Sequence, residues 1–174
     1  MKFKMSDLMI DLETLGQTPQ CPVISLGAVF FDEKTKQLGP RFYACLDVNE
    51  QIKHGRRPDG DTLKWWMGQS GAAKKVFSED AKPVTQVLND FSLFYNANSI
   101  KSFVWGNGST FDISIMEDIY RMYGVKIPWF FTKVMDQRTY KRFMGKGEKV
   151  QKSGVDHNAL DDAVSQATYV LSHL

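Results

Sequence analysis

A chain of 174 residues, 43% hydrophobic and 24% charged, has the make-up of an ordinary globular protein and not of a disordered, collagenous or coiled-coil one. At this length about 70% of the unfolded surface is buried on folding, so neither a metal nor a disulfide is needed merely to fold. The formal net charge of +2 says little, but from Lys133 to Lys152 seven basic residues stand against two acids, a stretch that suits a polyanionic partner as well as a solvated loop.

Asp7–Leu12 is a short apolar run, and Pro22–Phe31 is a longer one rich in Val, Ile and Phe. Arg41–Leu46 follows Gly39-Pro40. Three β-like runs separated by turn residues predict a meander. After Asp61, a candidate N-cap, Leu63, Trp66 and Met67 fall at helical spacing. A second helix is expected from about Lys82 to Asn96, with Pro83 where a first-turn proline is tolerated. Ser102–Trp105 reads as a fourth strand and Thr110–Tyr123 as a helix closed by Gly124. A fifth strand is expected over 130–135, a short helix over 136–144, a polar connection over Gly145–Val155, and a last helix from Asn158. This order implies an α/β sandwich in one domain over residues 1–174, with a mixed five-stranded sheet flanked by helices.

Cys21 and Cys45 have neither metal nor disulfide spacing and read as small apolar residues in or beside strands. The opening MKFKMSD lacks the apolar core of a signal peptide, and the apolar runs are too short for a bilayer. The cytoplasm is the expected location, with no membrane partner.

Asp11 and Glu13 lie two apart at the end of the first strand, so both carboxylates face the same side. Like charges forced together there repel unless a cation sits between them. Asp112 follows the fourth strand across Gly106-Asn107-Gly108-Ser109-Thr110-Phe111 and opens a helix, where an acid also meets the helix dipole. His157 precedes the final helix and Asp162 lies about one turn inside it. Asp161 and Asp162 point about 100° apart, so only one of them faces the sheet, and Leu160, Ala163 and Ala167 mark the apolar stripe.

Taken in order, Asp11-Leu12-Glu13-Thr14, then Asn107-Gly108 with Phe111-Asp112, then His157-x-Ala159-x-x-Asp162-Ala163 resembles the three motifs of the DEDDh exonucleases, the DnaQ-like branch of the ribonuclease H-like superfamily. Thr62-Leu63-x-Trp65-Trp66-x-x-Gln69 is similar to the tryptophan-bearing helix of the exonuclease VIII and small Rv-type bacterial and phage branch. The resemblance implies a ribonuclease H-like three-layer sandwich and a 3′-5′ exonuclease acting on single-stranded DNA or RNA 3′ ends. It also implies that Asp11, Glu13, Asp112 and Asp162 hold two Mg²⁺ or Mn²⁺ ions, with His157 as general base. Leu12, Thr14, Leu15, Asn107 and Phe111 are the implied substrate contacts. Trp65 and Trp66 are adjacent and cannot both face one way; one belongs to the core and the other is a candidate stacking platform, with Trp66 named among the substrate contacts and Trp65 left open as the alternative. Many relatives pair, so a homodimer is compatible with the resemblance. Two other readings remain open on sequence: a binding module of this fold without turnover, and a trimmer of structured RNA.

Overall fold

The computed structural model describes residues 4–144 and 154–173. Lys146, Lys149 and Lys152 of the basic stretch, and most of the connection expected over Gly145–Val155, lie outside the described residues.

Three long strands come first: β1 (Met5–Thr14), β2 (Val23–Asp32) and β3 (Gln37–Leu46). They form the expected antiparallel meander, Asp11 opposite Gly27 and Gly27 opposite Tyr43. Two short helices follow, α1 (Val48–Lys53) and α2 (Gly60–Met67), then a 3-10 segment over Ala73–Ser78. A two-residue strand, β4 (Ala81–Lys82), pairs with Cys45–Leu46. The chain continues through α3 (Val84–Asn98), β5 (Ser99–Gly106), α4 (Asp112–Met122), β6 (Val134–Asp136), α5 (Gln137–Met144) and α6 (Ala159–Ser172).

Among the described residues the sheet therefore has six strands, in the order β4-β3-β2-β1-β5-β6, not the five expected. The added strand is two residues long, too short to carry any alternation of apolar and polar residues. The crossovers are as expected, since α3 returns the chain so that β5 lies parallel to β1, and β6 lies parallel to β5. The cap of α2 is also revised. Asp59, with extended backbone, accepts from the Thr62 N–H at 2.8 Å and the Thr62 hydroxyl at 3.0 Å, while Asp61 stays exposed in the first turn. Only a residue outside the helical φ/ψ region can turn its oxygen back onto the first free amides.

Period-two alternation divides β1 between the two faces. Leu8, Ile10 and Leu12 join Leu26, Phe30, Leu88, Phe91 and Ile119 under α3 and α4. Met9 joins Val29, Phe31 and Trp105 under Ala163, Ala167 and Val170 of α6. Two apolar seams on opposite faces of one sheet make the three layers, and they put Asp11 and Glu13 on the α6 side. The α6 stripe starts at Ala159; Leu160, expected in it, is only half-buried. Both cysteines are buried free thiols. No helix among the described residues is long and apolar enough to cross a membrane.

Gly27 governs how closely α6 can approach. A Cβ built on Gly27 would lie 2.1 Å from the Ala159 carbonyl carbon and 2.2 Å from the Leu160 nitrogen. Those neighbours are backbone and cannot rotate away, so the first turn of α6 rests directly on β2 where β2 pairs with Asp11. Gly27→Ala is expected to lift that turn, costing about 1–3 kcal/mol as an overpacked contact. For a chain of this size that corresponds to roughly 2–12 °C in Tm by calorimetry. Gly71→Ala is the control, with nothing within 4 Å of its Cβ position, and should melt with the unaltered protein.

Candidate active site

The C-terminal ends of the parallel strands β1 and β5 meet the first turns of α4 and α6, and the carboxylates converge there. Asp11 and Glu13 descend from β1. Asp112 opens α4 and reaches back over the sheet, its Oδ1 accepting from the Leu12 N–H at 3.3 Å. Asp162 faces the same spot from inside α6. Ligand atoms of Glu13, His157 and Asp162 all lie within 4.8 Å of one another. A single ion about 2.0–2.6 Å from each would touch all three.

The loop before α6 aims its side chains by backbone geometry. His157 takes a positive φ of 63°, unusual for a residue with a Cβ. Asn158 then caps the helix, its Oδ1 accepting from the N–H groups of Leu160 and Asp161 at 3.1 Å each. Asp161 turns outward and accepts from the Val155 N–H at 2.9 Å, holding the loop. Asp162, about 100° round the helix, is left to the cluster, as the helical spacing requires.

The electrostatics are those of a cation site. Asp11 is pushed well above the usual carboxylate range by desolvation, then by the charges of Asp112 and Glu13. Asp112 is raised to about 7, chiefly by burial, against the pull of the Leu12 amide and the Arg138 guanidinium. Hard oxygen donors crowded to the point of holding protons fit one or more divalent ions, which would replace those protons.

Two clefts open on either side of the acids. The larger, about 410 Å³, is lined by Leu12, Glu13, Thr14, Trp65, Trp66 and Phe111 among others. The smaller, about 260 Å³, is lined by Asp11, Asn107, Lys141, Asp162, Ser165, Gln166 and Tyr169. Leu12, Thr14 and Phe111 thus line the larger cleft and Asn107 the smaller. Leu15 lines neither. It is buried with Trp66, Ile24 and Val76, its N–H donating to Pro22 and its carbonyl accepting from Asp59.

The structure separates the two adjacent tryptophans, and the candidate Trp66 is the buried one. Trp66 is 3% exposed and donates its indole N–H to the Thr14 carbonyl at 2.9 Å, bracing the β1 end from below. Trp65 is 45% exposed, lines the larger cleft and meets the His157 ring edge-on, centroids 4.8 Å apart. Which of two adjacent aromatics faces out depends on how α2 is rolled on the sheet, and the local spacing does not carry that.

Sequence reasoning also missed a second row of residues. Gln166 donates its Nε2 to Asp11 Oδ1 at 2.6 Å, and Gln137 donates to the Gln166 carbonyl at 2.8 Å. Asp136 accepts from the Ser109 and Thr139 amides, tying the loop before α4 to the start of α5. For Gln166 a signal existed in its place one turn after Asp162; for Gln137 there was none.

The chain matches the model of the Rv2179c-like 3′-5′ exoribonuclease domain over residues 6–174. It belongs to that family. An exodeoxyribonuclease of Enterobacteria phage T4 is 30% identical over 129 residues, a match spanning 67% of this chain and 56% of the phage protein. In fold, the chain resembles the nuclease domain of 3′hExo, a DEDDh family member bound to rAMP, at TM-score 0.66 and 15% identity, covering 95% of this chain and 89% of that one. It also resembles E. coli Exonuclease I in complex with a dA16 oligonucleotide, at TM-score 0.69 and 12% identity, covering 97% of this chain and 40% of that one. The Rv2179c-like domain thus carries the ribonuclease H-like sandwich of the DEDDh nucleases.

The acid cluster has a measurable signature in this domain without divalent ions. The folded state holds a proton on Asp112 up to about pH 7, whereas an unfolded aspartate releases it near 3.8. Folding therefore takes up protons between those values, and stability should fall as pH rises through that window. Thermal melts in EDTA should show this decline. A divalent cation should reverse it at the upper end, and Asp112→Asn should make it shallower, leaving the share of Asp11.

Proposed function

We propose that this chain is a metal-dependent 3′-5′ exonuclease that removes nucleotides from the 3′ end of a DNA or RNA strand. The observation that carries the reading is the convergence of Asp11, Glu13, Asp112, His157 and Asp162, from three separate parts of the chain, between two clefts. Membership of an exoribonuclease domain family supports it.

Asp11, Glu13, Asp112 and Asp162 would hold two Mg²⁺ or Mn²⁺ ions, the hard cations that carboxylate oxygens prefer. Such ions, when bound, activate the attacking water and offset the charge that builds on the departing 3′ oxygen. The chain's own groups do the rest. His157 stands within reach of both Glu13 and Asp162, and accepts the proton of the attacking water. Gln166 fixes which Asp11 oxygen faces the cluster by engaging the other. In the larger cleft Leu12, Thr14 and Phe111 receive the terminal nucleotide, and the open face of Trp65 offers its base a stacking surface.

The test is degradation of single-stranded DNA and RNA oligomers, labelled at either end, with Mg²⁺, Mn²⁺ or EDTA. Stepwise shortening from the 3′ end is expected, abolished by EDTA. The family's name points to RNA and the phage relative's to DNA, so the same gels read the sugar preference. Asp11→Ala and Asp162→Asn should remove turnover with near-native melting. His157→Ala should slow it roughly 10²–10⁴-fold. Near-normal rates in His157→Ala across pH 6–9 would remove the histidine from its role, and no shortening of any strand with either metal would end the exonuclease reading.

A further inference from the structure

The two clefts beside the acids differ in chemistry. The larger carries the aromatic rings of Trp65, Trp66 and Phe111 beside the acids Glu13 and Asp61 and, among its lining residues, has no cation. The smaller has no large aliphatic residue in its wall but holds Lys141, whose Nζ lies 4.6 Å from the centre of the Tyr169 ring. Lys141 sits on α5 three residues after Arg138, so the two share one helix face. Arg138 packs on the turn before α4, its guanidinium carbon 3.3 Å from where a Cβ of Gly108 would stand. Among the described residues neither Arg138 nor Lys141 forms a salt bridge.

Neighbouring cations repel each other, and neither is matched by a salt bridge among the described residues, Arg138 acting only at longer range on the buried Asp112. Burial, and then Arg138, hold the Lys141 ammonium below its usual range. The helix is nonetheless clamped in this position. Asp136 accepts from Thr139 and Ser109, Gln137 donates to Gln166 of α6, and Tyr140 packs edge-on against Trp105 at 5.6 Å. The cations are thus presented at the acid cluster by a braced helix, beside the groups that would repel a polyanion most strongly.

We propose that Arg138 and Lys141 form a phosphate-binding site for the strand on the 5′ side of the cleaved bond. This rests on the exonuclease reading: with the terminal nucleotide in the aromatic cleft and the scissile phosphate at the acids, the preceding phosphodiesters leave across the polar cleft and α5. The ligand is backbone phosphate of a single strand, without regard to base. The two clefts then divide the work, the aromatic one taking the end and the basic one taking the chain.

The experiment is fluorescence anisotropy with a 5′-labelled 12-nucleotide single strand, in Ca²⁺ to suppress turnover, across a range of salt. The variants are Lys141→Met and Arg138→Met, which keep much of the apolar stem, with Lys141→Arg as the charge-keeping rescue. Each Met variant should weaken binding and lower the slope of log Kd against log salt by about 0.7, the share of one phosphate contact on a single strand. Lys141→Arg should restore the slope. In hydrolysis, the advantage in kcat/KM of a 12-nucleotide strand over a dinucleotide should shrink in the Met variants. Arg138 is exposed, so its variant reports even if Lys141→Met folds poorly. Unchanged slopes in natively melting variants, with stepwise hydrolysis intact, would overturn the phosphate site and leave the exonuclease reading standing. Steep salt dependence that the Met variants flatten, with no hydrolysis in Mg²⁺ or Mn²⁺, would support the phosphate site while removing the enzyme.

Discussion

Mutual repulsion among Asp11, Glu13, Asp112 and Asp162 is the constraint around which the described structure is arranged. Four carboxylates in so small a volume favour unfolding: burial raises both Asp11 and Asp112, and the charges of Asp112 and Glu13 raise Asp11 further. What keeps them together is apolar burial on both faces of the sheet. Met9 under α6 and Leu12 under α4 flank Asp11 in sequence, so the strand cannot retract without opening both seams. The site is strained by charge and held by packing, which suits an arrangement meant to close around cations.

Holding four acids together also demands close approach, and the chain obtains it in two ways. Gly27 lets the first turn of α6 lie on β2, which brings Asp162 down to the strand bearing Asp11 and Glu13. A register irregularity between Glu13 and Thr14 ends the regular pairing of β1, and the Trp66 indole then catches the Thr14 carbonyl. One device removes a side chain and the other supplies a hydrogen bond. Both set the distance between carboxylates that never touch them.

The legible part of this protein was whatever a local period encodes. The i, i+2 spacing of Asp11 and Glu13 put them on one face, and the angle between Asp161 and Asp162 separated a loop-holding acid from a site acid. The motif order matched a family whose fold the structure shares. Features set by contacts between distant segments were not legible. Gly27 acts on Ala159, Gln166 on Asp11, and Trp66 on Thr14, each across the fold. Asp61 reads as the cap from its place before Leu63, and only the extended backbone of Asp59 shows that the cap lies two residues earlier. The sixth strand, Ala81–Lys82, has too few residues for any period.

The same logic explains why Trp65 and His157 are found together. His157 stands in the left-handed region of φ, a conformation that costs energy unless its surroundings enforce it. On one side Asn158 caps the first amides of α6 and Asp161 accepts from the Val155 amide of the loop; on the other the Trp65 and Trp66 rings close on the imidazole at 4.8 and 6.2 Å. Trp66 cannot yield, because its indole is anchored to Thr14 and buried. Trp65 can, being nearly half exposed. A base placed in the larger cleft, as proposed, would therefore share Trp65 with His157, so that filling the cleft and seating the histidine would draw on the same surface.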